Sequence, residues 1–158
     1  MTATQSVTIE RVLDAPLELV WQMWTEPEHF AAWYGPTGAT VAVVEMDARV
    51  GGRRHFSMQM QTPDGEMQMW FVGEYRVVEP SRRLVYTESM SDPDGNVASP
   101  ESTGMPTDHP EATEVTVELH DLGGRTRMVM VHAGVPADSP GAMGWNMALD
   151  KLEGHLAA

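Results

Sequence analysis

Apolar and polar residues alternate with a period of two along much of this chain. "QSVTIERVL" sets Val7, Ile9 and Arg11 against Thr8 and Glu10 before entering "DAP", a turn, and so predicts a first strand. The period then lengthens. In "PLELVWQMWTEPEHFAAWYGP", Pro16 stands at a helix start, where its missing N–H costs nothing, and Val20, Met23 and Trp24 fall on one helical side. Pro27 breaks that helix, a second short one carries His29 to Trp33, and "YGPTG" ends helical structure.

Strand patterns follow in "ATVAVVEMDAR", in "RRHFSMQM" after a bend at "VGG", in "EMQMWFVGEYRVV" after a turn at "PDG", and in "LVYTESM" after "EPSRR". Residues 91–112 are rich in Pro, Ser, Asp and Gly without periodicity, and predict a long mobile loop. The pair Gly123–Gly124 in "TEVTVELHDLGGRTRMVMVHAG" suits a two-residue turn with positive φ at both centres. Closing that turn sets Leu119 opposite Met128, Val117 opposite Met130 and Val115 opposite His132, all on one face. Trp145, Leu149, Leu152 and Leu156 then recur at helical spacing, which predicts an amphipathic C-terminal helix with Ser139 as its cap and Pro140 in its first turn.

Strands segregated from helices predict an α+β fold with an antiparallel sheet. One face of that sheet needs a cover, and the last helix is the only predicted element long enough to supply it. Where it spans a strongly curved sheet it would leave unfilled space, a pocket.

The register of "MQMQTPDGEMQMWF" matters for what lines that space. With "TPDG" as the loop, Met60 faces Met67, Met58 faces Met69 and Phe56 faces Phe71, all towards the core with Met128 and Met130. A three-residue "PDG" loop with a bulge would bring Gln68, Trp70 and Val72 inward instead. The first register keeps two glutamines out of the core, where an unpaired amide costs about 1–3 kcal/mol. The methionines, of which the chain has 13, then serve either as flexible packing or as the wall of an adaptable apolar cavity. In "LVYTESM" the alternation turns Leu84, Tyr86, Glu88 and Met90 inward. His132 also faces inward and is the candidate partner of Glu88, either as a hydrated pair at the cavity mouth or as one that orients a ligand or moves a proton.

Composition narrows the function classes. The chain has 158 residues, the size of one domain, and a single domain over 1–158 is expected. The absence of cysteine removes disulfides, thiolate catalysis and cysteine-based zinc sites, and fits a reducing compartment. The sequence has neither a signal-peptide pattern nor an apolar run long enough to span a bilayer, so a cytoplasmic protein is expected. A net charge of −13 disfavours nucleic acid and anionic membranes as partners. "DHPE" at 108–111 matches no dependable metal spacing and reads as a solvated loop, and Glu28 and His29 read as surface. The glycines at 51, 52, 123 and 124 are bend and turn residues and form no phosphate-binding loop. No metal or cofactor is expected, and no residue is assigned as catalytic beyond Glu88 and His132 as candidates.

Five stretches taken in order, "APLELVWQMWTEPEHFAAWYGP", "VGGRRHFSM", "GEYRVVEPSRRLVYT", "LGGRTRMVMVHAG" and "GWNMALDKLEGHL", resemble the activator of heat-shock-protein-90 ATPase-like family within the START-like, helix-grip superfamily. The resemblance implies a seven-stranded antiparallel sheet gripping a long C-terminal helix. It departs from the family at three points: the additional N-terminal domain of the eukaryotic activators is absent, the 91–112 loop is longer than in many relatives, and Glu88 stands where a large aromatic is frequent. Chaperone activation is therefore not carried over.

The reading favours binding of a small, largely apolar molecule between sheet and C-terminal helix. Trp24, Trp33, Phe56, Met58, Met69, Phe71, Tyr86, Met128, Met130 and Trp145 would supply walls, and Glu88 and His132 the polar contacts. Two alternatives stand beside it: an enzyme, since START-like domains include cyclases and hydrolases, and a chaperone-linked interaction module. A homodimer through sheet or loop surfaces is open to all three.

Overall fold

The computed structural model describes residues 6–98, 112–135 and 140–157. The expected cap Ser139, the "DHPE" segment and most of the predicted 91–112 loop lie outside the described residues. The chain runs β1 (Ser6–Leu13), α1 (Leu17–Thr25), α2 (Pro27–Trp33), β2 (Thr40–Met46), β3 (Arg53–Thr62), β4 (Gly65–Glu79), β5 (Arg83–Ser91), β6 (Thr113–Asp121), β7 (Thr126–Ala133) and α3 (Pro140–Ala157). The seven strands form one antiparallel sheet in the order β1-β7-β6-β5-β4-β3-β2. This is the helix-grip arrangement that the sequence implies. Among the described residues no helix is long and apolar enough to cross a membrane.

Local sequence explains the element boundaries. Pro16 is extended and precedes the first turn of α1, accepting hydrogen bonds from the Leu19 and Val20 amides. Pro27 opens α2, and the extended Glu26 between the helices ends one and starts the other. Gly123 and Gly124 both have positive φ, 81° and 92°, and the Leu122 amide bonds to the Arg125 carbonyl at 2.8 Å. The β6–β7 ladder pairs Leu119 with Met128, Val117 with Met130 and Val115 with His132, and all six side chains are buried.

The β3–β4 hairpin has the register that keeps glutamine outside: Phe56 pairs with Phe71, Met58 with Met69 and Met60 with Met67. Pairing continues to Thr62 and Gly65, so the loop is only Pro63 and Asp64. Gln59, Gln61 and Gln68 are exposed. Not all four methionines reach the core, however. Neighbouring strands cover the hairpin only as far as Gln59, opposite Thr40, and Trp70, opposite Ser91. Beyond that point it projects as a two-stranded ribbon, where Met60 is half-buried and Met67 is 43% exposed.

Breaks in register between Val43 and Glu45 and between Tyr75 and Val77 bend the β2–β5 half of the sheet. Helix α3 lies on the apolar face, with Ala142, Trp145, Ala148, Leu149 and Leu152 buried in the same core as Val115, Val117, Leu119, Met128 and Met130. Full burial of a leucine side chain is worth about 1.5–3 kcal/mol, so Leu149 and Leu152 are major contributors to this contact. Arg11, the inward charge in β1, donates to Asp150 on α3 at 2.8 Å and also bonds Glu153 and Asn146.

This packing sets a contrast between two apolar residues. Leu149→Ala should lower unfolding free energy by about 2–5 kcal/mol through lost burial and a residual cavity. Met67→Ala, on the exposed ribbon, should change it by no more than about 0.5 kcal/mol. Urea denaturation checks both, and equal losses would contradict the described register.

Candidate functional site

Arg54 alternates with Phe56 and Met58 on the inner face of β3 and is 1% exposed. An isolated guanidinium in such a place costs several kcal/mol, so its surroundings must offset that cost. Five rings surround it. Its central carbon lies 3.6 Å from the Tyr86 ring centroid, 5.2 Å from Phe30, 5.5 Å from Phe56, 5.6 Å from Tyr75 and 6.0 Å from Tyr34. Ring faces attract a cation, and more strongly where water is excluded. The counter-charge comes from Glu88 on β5, with Nη1 to Oε1 at 3.5 Å. Nε and Nη1 of Arg54 have no hydrogen-bond partner among the described residues, so at these two nitrogens rings and Coulomb attraction hold the group. Burial works against the charge, but Tyr86, Tyr75, Tyr34 and Glu88 outweigh it and raise the guanidinium pKa.

A chain of hydroxyls meets the same carboxylate. Tyr34 donates to Glu88 Oε1 at 3.1 Å, and Tyr34 Oη lies 2.9 Å from Tyr86 Oη. A phenol has one hydrogen, so Tyr86 donates to Tyr34 while Tyr34 donates to Glu88. Oε1 is thereby occupied, and Oε2 has no partner among the described residues. Burial, then the nearby Glu88 charge, pushes the Tyr34 phenol well above its ordinary pKa. Burial also raises Tyr86 and Tyr75, with the Arg54 charge opposing it in both.

Over this cluster lies an open cavity of about 390 Å³. Tyr34, Gly35 and Pro36 after α2 form one wall, Met58, Met69 and Glu88 the sheet side, and Gly144, Trp145 and Ala148 the α3 side. Glu88 is the one charged residue among these. Gly35 has φ of +85°, and a Cβ there would come within 2.8 Å of Met58 Cε, so glycine lets the loop approach the methionine. Gly144 leaves space of a different kind: a Cβ added there would meet nothing closer than Pro36 Cβ at 4.0 Å. Lys151 ties α3 to the rim by donating to the Pro36 carbonyl at 3.2 Å.

His132 positions the tryptophan wall. Trp145 Nε1 donates to His132 Nδ1 at 2.8 Å, which makes Nδ1 an acceptor and places the ring proton on Nε2. Nε2 then donates to Thr113 Oγ1 at 2.7 Å, and that hydroxyl donates to the Glu88 carbonyl at 3.1 Å. Among the described residues, His132 is linked to Glu88 through Thr113 and the backbone. The expected pairing of the two side chains is corrected: the carboxylate belongs to Arg54 and Tyr34, the imidazole to Trp145 and Thr113.

Of the other expected wall residues, Met58, Met69 and Trp145 line the cavity with Glu88. Phe56 stacks on Phe71 with centroids 5.2 Å apart, and Phe56 and Tyr86 belong to the arginine cage. Trp24, Trp33, Met128 and Met130 are not walls but closed core, each no more than 1% exposed. Trp24 stacks on Trp145 at 6.0 Å, and Trp33 donates to the Met23 carbonyl at 2.8 Å, so both are consumed in fixing α1 and α2. Arg54, Tyr34, Gly35, Pro36, Gly144 and Ala148 were not anticipated. The parity shared by Arg54, Phe56 and Met58 is the signal that identifies the first.

The profile of the family described as Activator of Hsp90 ATPase homolog 1-like protein matches residues 14–157. The chain belongs to that family. Among solved structures, this activator-homologue chain is similar to a protein from Chromobacterium violaceum at 25% identity and a TM-score of 0.76, covering 98% of this chain and 99% of the other. A protein from Arthrobacter aurescens is 23% identical, with a TM-score of 0.79 and coverage of 98% and 87%. One from Mycobacterium smegmatis is 24% identical, with a TM-score of 0.77 and coverage of 98% and 92%. The last two likenesses concern the fold alone. No curated protein matches the sequence.

All three tyrosines of the chain belong to this cluster and have raised pKa values. Each holds its proton more tightly folded than unfolded. The stability this confers is whole below the ordinary phenol value of about 10 and is lost as pH rises beyond it. In an alkaline titration, near-ultraviolet tyrosinate absorbance should stay flat through about pH 10 and then rise in one step with the loss of circular dichroism. Titration of any tyrosine in the native protein near its ordinary value would contradict the cluster.

Proposed function

We propose that the protein binds a small, largely apolar molecule in the cavity between the sheet and α3. The observation that carries this reading is the cavity itself: about 390 Å³, with apolar walls and, among the described residues, a single carboxylate. Small-molecule sites have this character, typically about 300–1,000 Å³ with a few placed polar groups. Two further features support it. Met58 and Met69 face one another across β3 and β4, and their unbranched thioethers can adapt to differently shaped ligands. Gly144 has no side chain where α3 borders the cavity, although almost any other residue would favour the helix more.

Binding of N-phenyl-1-naphthylamine, followed by its fluorescence, tests this reading together with native mass spectrometry of freshly purified protein. Saturable binding of one molecule per chain is expected. Gly144→Leu should fill the cavity and weaken binding by at least about tenfold, while helix propensity keeps the melting temperature equal or higher. No saturable binding to the natural chain, or unchanged binding to a folded Gly144→Leu variant, would overturn it.

A further inference from the structure

Resting on that reading of the cavity, we propose that its ligand is a neutral molecule presenting one hydrogen-bond donor, a hydroxyl or amide N–H, to Glu88 Oε2. Glu88 is then the residue that sets ligand class. The charged inventory around the cavity supports the choice. Among the described residues Glu88 is the only charged one that lines the cavity, and its side chain is 13% exposed. Oε1 already accepts from Tyr34 at 3.1 Å and faces Arg54 at 3.5 Å, whereas Oε2 has no partner among the described residues. An ionised carboxylate only accepts hydrogen bonds, so the group it lacks is a donor.

The charge on that donor follows from Arg54. The guanidinium is 1% exposed and does not line the cavity, so it is not offered to an acidic ligand. Its positive charge does balance Glu88 from the buried side. A carboxylic acid entering as its anion would meet an acceptor and a like charge among apolar walls, while the Lys151 ammonium at the rim is turned to the Tyr34 and Pro36 carbonyls. A protonated amine would gain one hydrogen bond but leave the cluster of Arg54, Glu88 and ligand with a net charge in a poorly solvated space. A neutral alcohol or amide satisfies Oε2 and adds no charge. Tyr34 restrains the carboxylate through Oε1, and Thr113 holds the Glu88 backbone, so Oε2 is presented in a fixed place.

Four ligands with the same ring system test this: 2-methylnaphthalene, 2-naphthalenemethanol, 2-naphthylmethylamine and 2-naphthoic acid, each displacing N-phenyl-1-naphthylamine at neutral pH. The alcohol should bind most tightly, and the acid at least about tenfold more weakly, as expected where a buried polar group is left unpaired. Glu88→Gln, whose amide can also donate, should shrink the alcohol-to-acid ratio by about tenfold. The ranking on the natural chain needs no variant, so a Glu88→Gln chain that fails to fold leaves the proposal testable. Tightest binding by the amine or the acid would overturn it, as would equal binding of the hydrocarbon and the alcohol. In those three cases the cavity reading survives. If none of the four binds saturably, both the cavity reading and this inference fail.

Discussion

A guanidinium placed on the concave face of a sheet must be neutralised and surrounded, and Arg54 imposes that requirement on its own strand and on three other elements. Phe30 and Tyr34 come from α2 and the residue that follows it, Phe56 from β3, Tyr75 from β4, and Tyr86 and Glu88 from β5. The first two connect the helical layer to the sheet at this point. With few hydrogen bonds available to it, the cation depends on the placement of rings, which are rigid and bulky. A cluster built this way leaves little freedom in the relative position of α2 and the strands. The cavity is the space that remains between this cluster and α3.

Much of the fold was legible because its signals are local. Strand parity, the Gly-Gly turn and the prolines at helix starts each act within a few residues. The β6–β7 and β3–β4 registers therefore follow from the sequence, down to the pairing of Met58 with Met69. The site was harder to read because parity gives the face of a strand and not the neighbour above it. Glu88 and His132 share the inner face, yet Thr113 and Trp145 occupy the imidazole, and Arg54 claims the carboxylate. Arg54 itself has the right parity but the wrong polarity for a core position, which hides it from any reading based on hydrophobic pattern. Trp24 and Trp33 illustrate the opposite error: large apolar residues suggest cavity walls, but the two short helices need them to pack at all.

Membership in the activator-homologue family accounts for the architecture and leaves the chemistry to individual residues. A fold shared at 23–25% identity tolerates replacement of most side chains. Function is carried by the site and not by the fold. Here the site joins three features that are separable in principle: a carboxylate with one oxygen unpartnered among the described residues, a pair of adaptable thioethers, and a helix that comes close without closing the space. Each lies on a different element, so each can vary without dismantling the others.

Gly144 makes that separation concrete. It borders the cavity from the helix side, and among the described residues nothing beyond its own helix comes closer than the edge of Pro36, 4.0 Å from where its side chain would begin. The arginine cage, the sheet registers and the tryptophan anchor make no use of it. One position therefore governs how much room the cavity offers, while the interactions that hold the fold are elsewhere. A substitution at this one codon can therefore change the volume of the cavity while leaving untouched the contacts on which folding depends.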